Sequence, residues 1–260
     1  MRKRQYGCEK LKIEFHRTYL IVALGFVLTG YYLNLIVFTS LILVHELGHY
    51  LMARVNHFHV TKIVIYPYGG MTKIEDMINR DISEELLIAT SGVIVQYLFY
   101  LVIGWFYQYG MIREYTYNLY TLYNNQMIFF NLLPIYPLDG SKILNLLLDK
   151  LLPYYMSNIV TIVVSLLMIL GIVFLSVYQC SYSNIMVMGL LLIYLYKLYS
   201  KRKYLYHRFL LERYLYGIEY PKIKIISNIR KMFKNRSHLI KFNNCYLEEK
   251  RVLSNLFVKK

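Results

Sequence analysis

A His-Glu-x-x-His pattern, made of His45, Glu46 and His49, is the strongest chemical signal in this 260-residue sequence. On a helix, positions i and i+4 share one face, so both imidazoles could bind one Zn²⁺ while Glu46 reaches a water at the metal. Zinc lowers the pKa of that water to about 7, and a carboxylate can then accept its proton during attack on a carbonyl. The pattern therefore predicts zinc-dependent hydrolysis with Glu46 as the catalytic base.

The surroundings of this motif favour a metal site. The three residues stand within an apolar run, where two histidines and a glutamate cost several kcal/mol unless they are paired, metal-bound or hydrated. An alternative is a polar cluster that only joins helices through hydrogen bonds. We prefer the metal site because each residue type suits zinc hydrolysis.

Two histidines leave a catalytic zinc without the third protein ligand that such sites commonly have. The segment Asn131-Leu-Leu-Pro134-Ile-Tyr-Pro137-Leu-Asp139-Gly140 could supply it. Its two prolines break the helix at membrane depth, which is tolerated only where the backbone borders protein or a watery cavity. Asp139 at this break could point inward and bind zinc, or it could be the N-cap of the helix that follows. The missing ligand favours the first interpretation.

The elements that must position these residues are predicted to be transmembrane helices. Hydrophobic residues make up 57% of the chain, and several apolar runs reach the roughly 20 residues needed to cross a bilayer. The sequence predicts a membrane all-α fold, a polytopic bundle of about six transmembrane helices with both termini cytoplasmic because both are basic. The predicted spans are Tyr19–Leu33, Leu35–Ala53, Leu86–Tyr107, Leu119–Leu133, Ile159–Val177 and Ile185–Tyr196.

Two further segments complete the predicted organisation. Residues 60–73 alternate β-branched with other residues around a Pro-Tyr-Gly-Gly turn and predict a short membrane-associated β-hairpin. Residues 1–200 are predicted to form the transmembrane metalloprotease domain, and residues 201–260 a small cytoplasmic α/β tail. This tail holds 16 Lys and Arg against four Asp and Glu, which beside a membrane span indicates contact with anionic lipid. We expect no nucleic acid partner.

The two motifs resemble those of the site-2 proteases, a family of intramembrane zinc metalloproteases. The resemblance implies one Zn²⁺ per chain, bound by His45, His49 and Asp139, with Glu46 as the catalytic base. The chain is most similar to the bacterial sporulation branch, whose members have six spans and cleave an inactive sigma-factor precursor. This implies an integral protein of a bacterial cell membrane, a membrane-associated protein substrate and membrane-protein regulators.

The resemblance also bears on substrate contacts. The hairpin resembles the membrane-reentrant loop of the family, so we expect Gly69 and Gly70, together with Asn131 and Pro137, to contact substrate. Asn131 could equally form a hydrogen bond between helices. Ser91-Gly92-Val-Ile-Val-Gln96 stands where many members have Ala-Gly-Pro-x-x-Asn, and we expect Gly92 to permit close helix packing.

Members of the sporulation branch usually end in a CBS-type regulatory domain. Three segments of the tail could form an abbreviated version: helix-like Ile226–Lys234, strand-like His238–Phe242 and helix-like Glu248–Phe257. We do not predict a ligand for it.

Two other functions fit parts of the pattern. A membrane zincin of the prenyl-protein protease type also carries His-Glu-x-x-His but takes a glutamate as its third ligand, which the Pro-x-Asp-Gly setting of Asp139 argues against. A membrane zinc-binding transporter or sensor without protease activity would use the histidines, but it has no need for the proton acceptor Glu46.

Overall fold

The computed structural model describes residues 12–67, 69–75, 77–178, 182–242 and 245–257. These residues are mostly helical, with two small three-stranded sheets. The chain divides into two compact units, each with its own core. The first contains the chain up to Asp76 together with Leu87–Asn131, and the second contains Met77–Leu86 together with the chain from Leu132 onward. The basic N-terminal residues 1–4 lie outside the described residues.

Most of the described residues belong to helices or strands. The helices are α1 (Arg17–Leu28), α2 (Tyr32–Val55), α3 (Ile82–Gln108), α4 (Glu114–Leu132), α5 (Asp139–Leu151), α6 (Tyr154–Tyr178), α7 (Tyr182–Tyr216) and α8 (Glu249–Phe257). The strands are β1 (Lys12–Phe15), β2 (Val60–Tyr66), β3 (Gly69–Ile74), β4 (Ile223–Ile226), β5 (Ser237–Phe242) and β6 (Cys245–Glu248). A short 3₁₀ turn, Ile229–Lys231, lies between β4 and β5.

Three helices are long and apolar enough to cross a membrane, as far as the described residues go. They are Tyr32–Val55, Ile82–Gln108 and Tyr154–Val177, which correspond to the predicted second, third and fifth spans. The predicted first span, Tyr19–Leu33, is wrong at its end, because α1 stops at Leu28 and Gly30 adopts a φ of 79°. A left-handed residue of this kind ends a helix, and glycine adopts it without a steric penalty.

The first unit is packed around one face of α2. Val37, Leu41 and Ile42 recur at helical spacing and are buried. They belong to one apolar cluster with buried residues from α1, β2 and α4, namely Tyr19, Ile65, Leu119 and Met127. Burial of this face fixes the rotation of α2, so the polar residues further along the same face are also turned inward.

The predicted β-hairpin is confirmed by β2 and β3, which pair in antiparallel register with Ile63 opposite Thr72 and Ile65 opposite Gly70. Tyr68, which the sequence analysis places in the predicted turn, lies outside the described residues. The structure adds β1, which the sequence analysis did not predict and which pairs with β2 in parallel. Four residues are too short a run to identify a strand by alternation, and their pairing partner is distant in sequence.

In the second unit, α7 continues through Ser200 to Tyr216, so the last predicted span and the start of the tail form one helix. The tail contains strand β5 and helix α8 where strand-like and helix-like segments are predicted. The helix predicted at Ile226–Lys234 is wrong. This segment holds the end of β4 and a 3₁₀ turn, because Asn228 caps the turn and β4 is held by parallel pairing with β5.

Arg213 of α7 organises the tail through a buried guanidinium. It donates hydrogen bonds to the carboxylate of Glu249 and to three backbone carbonyls, those of Phe233, Lys234 and Arg236. Although burial acts to raise the pKa of Glu249, its contacts with His238 and Arg213 hold that pKa below its ordinary value. One of the many basic residues of the tail therefore serves the fold itself, since a buried charge requires such partners.

Asp149 of α5 is a buried carboxyl that, unlike Glu249, lacks a full set of hydrogen-bond partners among the described residues. Ser157 donates a hydrogen bond to its Oδ1, whereas Oδ2 has no hydrogen-bond partner in the part of the chain that the structure describes. Burial raises the pKa of Asp149 from 3.8 to about 6, although Lys234 acts in the opposite direction. Because the folded pKa exceeds the unfolded one, the stability linked to this group is present below about pH 4 and is lost as the pH rises through about 6.

We predict that Asp149→Asn stabilises the protein at pH 7 by up to about 3 kcal/mol, since the amide keeps an acceptor for Ser157 and carries no charge to desolvate. Unfolding measured in detergent at several pH values between 4 and 7 should show the gain growing with pH. Asp81→Asn is the matched control. Asp81 is exposed, and its Oδ1 accepts a hydrogen bond from the backbone N–H of Ser83 in the first turn of α3, a bond that asparagine can also accept. A gain for Asp149→Asn that did not change with pH would contradict the prediction.

Candidate active site

The predicted motif residues lie on the inward face of α2. His45, Glu46 and His49 are all buried, at 2%, 3% and 5% exposure. They follow the apolar residues Val37 and Leu41 on the same side of the helix, so the packing that buries those residues also buries the motif. The sequence therefore places three ionisable side chains in an apolar interior, which requires partners for each of them.

Hydrogen bonds fix the orientation of both imidazoles. The Nδ1 of His49 lies 2.7 Å from the carbonyl oxygen of Ile88, which can only accept, so Nδ1 carries the proton. The Nδ1 of His45 lies 2.9 Å from Oε1 of Gln96, and the Nε2 of Gln96 donates to Oδ1 of Asn124 at 3.0 Å. Gln96 therefore presents its oxygen to His45, whose Nδ1 is also the donor. In both neutral rings the lone pair is consequently on Nε2.

The two Nε2 atoms face each other at 3.1 Å. The ring planes are nearly perpendicular, at 83°. In the tautomers just described, this arrangement brings two lone pairs toward one point, which is unfavourable unless a proton or a metal cation lies there. Two imidazoles whose outer nitrogens donate to an amide and a carbonyl are the arrangement that metal-binding histidines commonly show.

Two glycines let the helices approach closely enough to form this site. A Cβ on Gly48 of α2 would lie 2.6 Å from the carbonyl oxygen of Ser91 on α3. A Cβ on Gly92 would lie 2.4 Å from Nε2 of His49 and 2.9 Å from Cε1 of His45. This contact agrees with the expectation that Gly92 permits close helix packing. The structure adds that the backbone of Gly92 packs directly against both imidazoles. Any side chain at this position would occupy the space beside the Nε2 atoms.

Glu46 is held by the hairpin. The hydroxyl of Thr72 on β3 donates to Oε2 of Glu46 at 2.6 Å. A Cβ on Gly70 would lie 2.3 Å from Cγ of Glu46, so only glycine lets β3 lie against this side chain. The hydrogen bond fixes one carboxylate oxygen and so orients the group. Gly70, predicted to contact substrate, thus has a structural role beside the catalytic-base candidate.

Asp139 lies in the second unit, where the segment that follows α4 turns back into α5. A Cβ on Gly140 would lie 2.2 Å from the carbonyl oxygen of Leu132, so this glycine permits the tight reversal. The Oγ of Ser165 accepts from the backbone N–H of Tyr136 and donates to the carbonyl of Pro134. These contacts fix the irregular backbone that leads into Asp139.

The N-cap alternative for Asp139 is wrong. Helix α5 begins at Asp139, and the N-cap position is Leu138, whose side chain makes no capping hydrogen bond. Asp139 is buried, and its Oδ1 accepts from the ammonium of Lys142 at 2.8 Å. A buried carboxylate in the first helical turn is favoured by the helix dipole and remains a strong donor for a cation.

The donor chemistry of these residues suits zinc. His45, His49 and Asp139 offer two imidazole nitrogens and one carboxylate oxygen, and all three are buried. This set of two histidines and one carboxylate is typical of catalytic zinc sites, which keep a further position for water or substrate. The lack of a side chain at Gly92 and the tautomers of the two histidines fit the same metal.

The remaining predicted site residues lie in the hairpin and around the end of α4. Gly69 begins β3 with a φ of 145°, Asn131 lies in the last turn of α4, and Pro137 follows a cis peptide bond in the break before α5. Sequence reasoning missed Thr72 and assigned no partner to Gln96. Gln96 stands where many members of the family have Asn, and this difference was the one sequence signal that pointed to it. No feature of the sequence pointed to Thr72.

The chain is similar in sequence to known metallopeptidases. The profile of Peptidase family M50 matches residues 33–116, which include the His-Glu-x-x-His helix and the hairpin. Stage IV sporulation protein FB of Bacillus subtilis (strain 168) is 35% identical over 211 residues, covering 80% of this chain and 72% of the relative. A zinc metalloprotease of Methanocaldococcus jannaschii is 31% identical over 159 residues, covering 57% of this chain and 46% of the relative.

A solved structure supports the fold. The site-2 protease from Methanocaldococcus jannaschii superposes with a TM-score of 0.58 at 23% identity, covering 74% of this chain and 92% of that one. The extent of the match to the sporulation protein is sufficient to assign the family. The chain therefore belongs to peptidase family M50, the site-2 protease family of membrane-embedded zinc metalloproteases.

Proposed function

We propose that His45 and His49 bind the catalytic zinc through Nε2 and that Glu46 is the general base for peptide-bond hydrolysis. The observation that carries this proposal is the pair of Nε2 atoms 3.1 Å apart, each in a ring whose Nδ1 donates to a fixed oxygen. This arrangement orients both lone pairs before any ion binds, so little reorganisation is needed on binding.

Bound zinc supplies a Lewis acid, which polarises a substrate carbonyl and makes water acidic near neutral pH. Glu46 takes up the proton of the attacking water at its carboxylate and can return it to the leaving amine. The hydroxyl of Thr72 occupies Oε2, so Oε1 is the oxygen available for this transfer. Burial of Glu46 limits competing water around that oxygen.

We propose Asp139 as the third zinc ligand. Its burial, its position in the first turn of α5 and the backbone contacts at Gly140 and Ser165 support a role that needs a fixed carboxylate. The hydrogen bond from Lys142 to Oδ1 holds the side chain in one orientation. The alternative function as a transporter or sensor gives no reason for a base at Glu46 held by Thr72.

The proposed substrate is a membrane-associated protein, and specifically a sigma-factor precursor cleaved during sporulation. The likeness to Stage IV sporulation protein FB supports this choice. We propose that the substrate contacts Asn131, Pro137, Gly69 and the backbone of Gly70, with the hairpin at the membrane boundary.

We further propose that the chain crosses a bacterial cell membrane six times and has both termini in the cytoplasm. Three of the spans are α2, α3 and α6, which meet the length and hydropathy requirements, and the other three are α1, α4 and α7. The 1–200 region is then the transmembrane metalloprotease domain. Residues 201–260 form a cytoplasmic tail, an abbreviated CBS-like regulatory segment that starts within α7 and faces anionic lipid. The charge of this tail, 16 basic against four acidic residues, supports the orientation. We also propose that other membrane proteins regulate this protein.

Glu46→Gln tests the assignment of the base. The amide keeps the shape of the side chain but cannot accept a proton, so we expect cleavage to fall by at least about 100-fold while zinc stays bound. Co-expression with membrane-tethered precursor proteins, followed by immunoblotting, measures cleavage, and metal analysis of the purified protein measures zinc. Cleavage at a near-normal rate would remove Glu46 from the mechanism.

Asp139→Asn tests the third ligand. Replacing an anionic oxygen donor by a neutral amide should lower both zinc content and proteolysis substantially. Lys142→Gln is the matched control, because it removes the same ion pair but keeps the carboxylate, and we expect it to retain zinc. Full zinc and full activity in Asp139→Asn would place the third ligand elsewhere.

Gly92→Ala tests the space beneath the imidazoles. The added Cβ would overlap Nε2 of His49, so we expect zinc content and cleavage to fall together. Gly104→Ala in the same helix is the control, because its Cβ would meet only Tyr117, at 3.8 Å, and alanine favours a helix by about 1 kcal/mol over glycine. Normal zinc binding by Gly92→Ala would show that the imidazoles occupy a different position in the active protein.

A further inference from the structure

Asn124 of α4 is a polar side chain in an otherwise apolar contact between helices. It is fully buried, and two other buried residues of α4, Leu119 and Met127, belong to the apolar cluster of the first unit. An amide in such surroundings destabilises a fold unless its polar atoms have partners. The partners of Asn124 therefore indicate what this side chain does.

One of those partners is Gln96 of α3, which is also fully buried. Nε2 of Gln96 donates to Oδ1 of Asn124 at 3.0 Å and to the backbone carbonyl oxygen of the same residue at 3.4 Å. A carbonyl oxygen only accepts, so the nitrogen of the Gln96 amide must lie at this end and Oε1 at the other. Oε1 lies 2.9 Å from Nδ1 of His45. The three side chains thus form one chain of hydrogen bonds from α4 through α3 to α2.

The direction of this chain determines which nitrogen of His45 keeps a lone pair. The two ends of a glutamine amide are nearly equal in size, so packing alone does not fix which end faces the histidine. A reversed Gln96 would present an N–H to Nδ1, which would then have to accept, and the proton of the neutral ring would move to Nε2. Nε2 is the nitrogen proposed to bind zinc, and it needs its lone pair to do so.

The side chain of Asn124 is the better of the two acceptors that hold Gln96. The bond to its Oδ1 has an ordinary length, whereas the bond to the backbone carbonyl is near the upper limit for a hydrogen bond. Nδ2 of Asn124 is buried and has no hydrogen-bond partner within the part of the chain that the structure describes. The oxygen of this amide is therefore in use and its nitrogen is not, which is what a role as an acceptor requires.

We propose that Asn124 is a positioning residue for the zinc site. It accepts from Gln96, which keeps Oε1 of Gln96 directed at His45 and the proton of His45 on Nδ1. Because the lone pair of Nε2 is thereby available before an ion arrives, zinc binding requires no change of tautomer. This role rests on the proposed binding of zinc by His45, and it adds a residue that lies two hydrogen bonds away from that ligand.

Two substitutions of Asn124 separate its acceptor from its shape. Asn124→Leu keeps a similar volume and removes the acceptor, so we expect zinc affinity to fall by about 10-fold to 100-fold, as is usual for partners of metal-binding histidines. Asn124→Asp should retain most of the affinity, because a carboxyl group in apolar surroundings is protonated and its carbonyl oxygen still accepts. Asn125→Leu is the matched control, since Asn125 is the next residue of α4 and is exposed. Competition with a zinc chelator in detergent measures the affinity of the full chain.

The tautomer of His45 provides a second measurement, made on the metal-free protein. Nitrogen-15 NMR of histidine-labelled protein distinguishes a protonated Nδ1 from a protonated Nε2, and the signals absent from His45→Ala identify the ring. We expect the proton on Nδ1 in the wild type and in Asn124→Asp, and on Nε2 in a large share of Asn124→Leu molecules. A wild type that binds no zinc would refute the proposed function, whereas the tautomers would still decide the role of Asn124.

A double-variant comparison tests whether Asn124 acts through Gln96. In a Gln96→Leu background, Asn124→Leu should have little further effect on zinc affinity, because the bond between the two side chains is already absent. An equal loss in both backgrounds would overturn the proposal, as would equal losses in Asn124→Leu and either Asn124→Asp or Asn125→Leu. Wild-type affinity and tautomer in Asn124→Leu would also overturn it. If Asn124→Leu is not recovered folded, Asn124→Ala takes its place in every comparison, because it also lacks the acceptor.

Discussion

The approach of two neutral imidazoles within an apolar helix is the constraint on which the site depends. Their Nε2 atoms lie 3.1 Å apart with both lone pairs turned toward one point, and a cation makes that arrangement favourable. Each ring is held from behind by an oxygen on α3, the carbonyl of Ile88 and the amide of Gln96. Rotation of either ring would leave a buried donor or acceptor without a partner, so the orientation of the histidines is fixed before metal binds.

Close packing is the second requirement, and glycine meets it at three places. Gly48 and Gly92 let α2 approach α3, and Gly70 lets β3 lie on Glu46. In a membrane, where apolar side chains gain little from leaving lipid, small residues allow the backbone contacts that hold helices together. In this protein the same small residues leave room for His45, His49 and the proposed base Glu46, so helix packing and the proposed chemistry depend on the same positions.

The second unit contains two kinds of buried ionisable groups. Arg213, Glu249 and His238 form a buried network with satisfied hydrogen bonds, whereas the carboxyl of Asp149 is buried with one unsatisfied oxygen. The first arrangement ties α7 to α8 and to the loop before β5, and removing Arg213 or Glu249 would leave the other buried without its opposite charge. The second makes stability depend on pH. The basic character of the tail thus combines structural cations with others, such as Arg202, that lack acidic partners among the described residues.

The sequence by itself determined the zinc motif, the apolar helices, the hairpin and the candidate third ligand, because helical periodicity, hydropathy and turn residues are local properties. The tertiary structure decided that Thr72 contacts Glu46, that Gln96 orients His45 and that Asp139 opens α5 instead of capping it. It also decided that β1 and β4 pair in parallel with distant strands and that α7 passes through Ser200. These features depend on contacts between residues far apart in the chain, which no local pattern of residue types records.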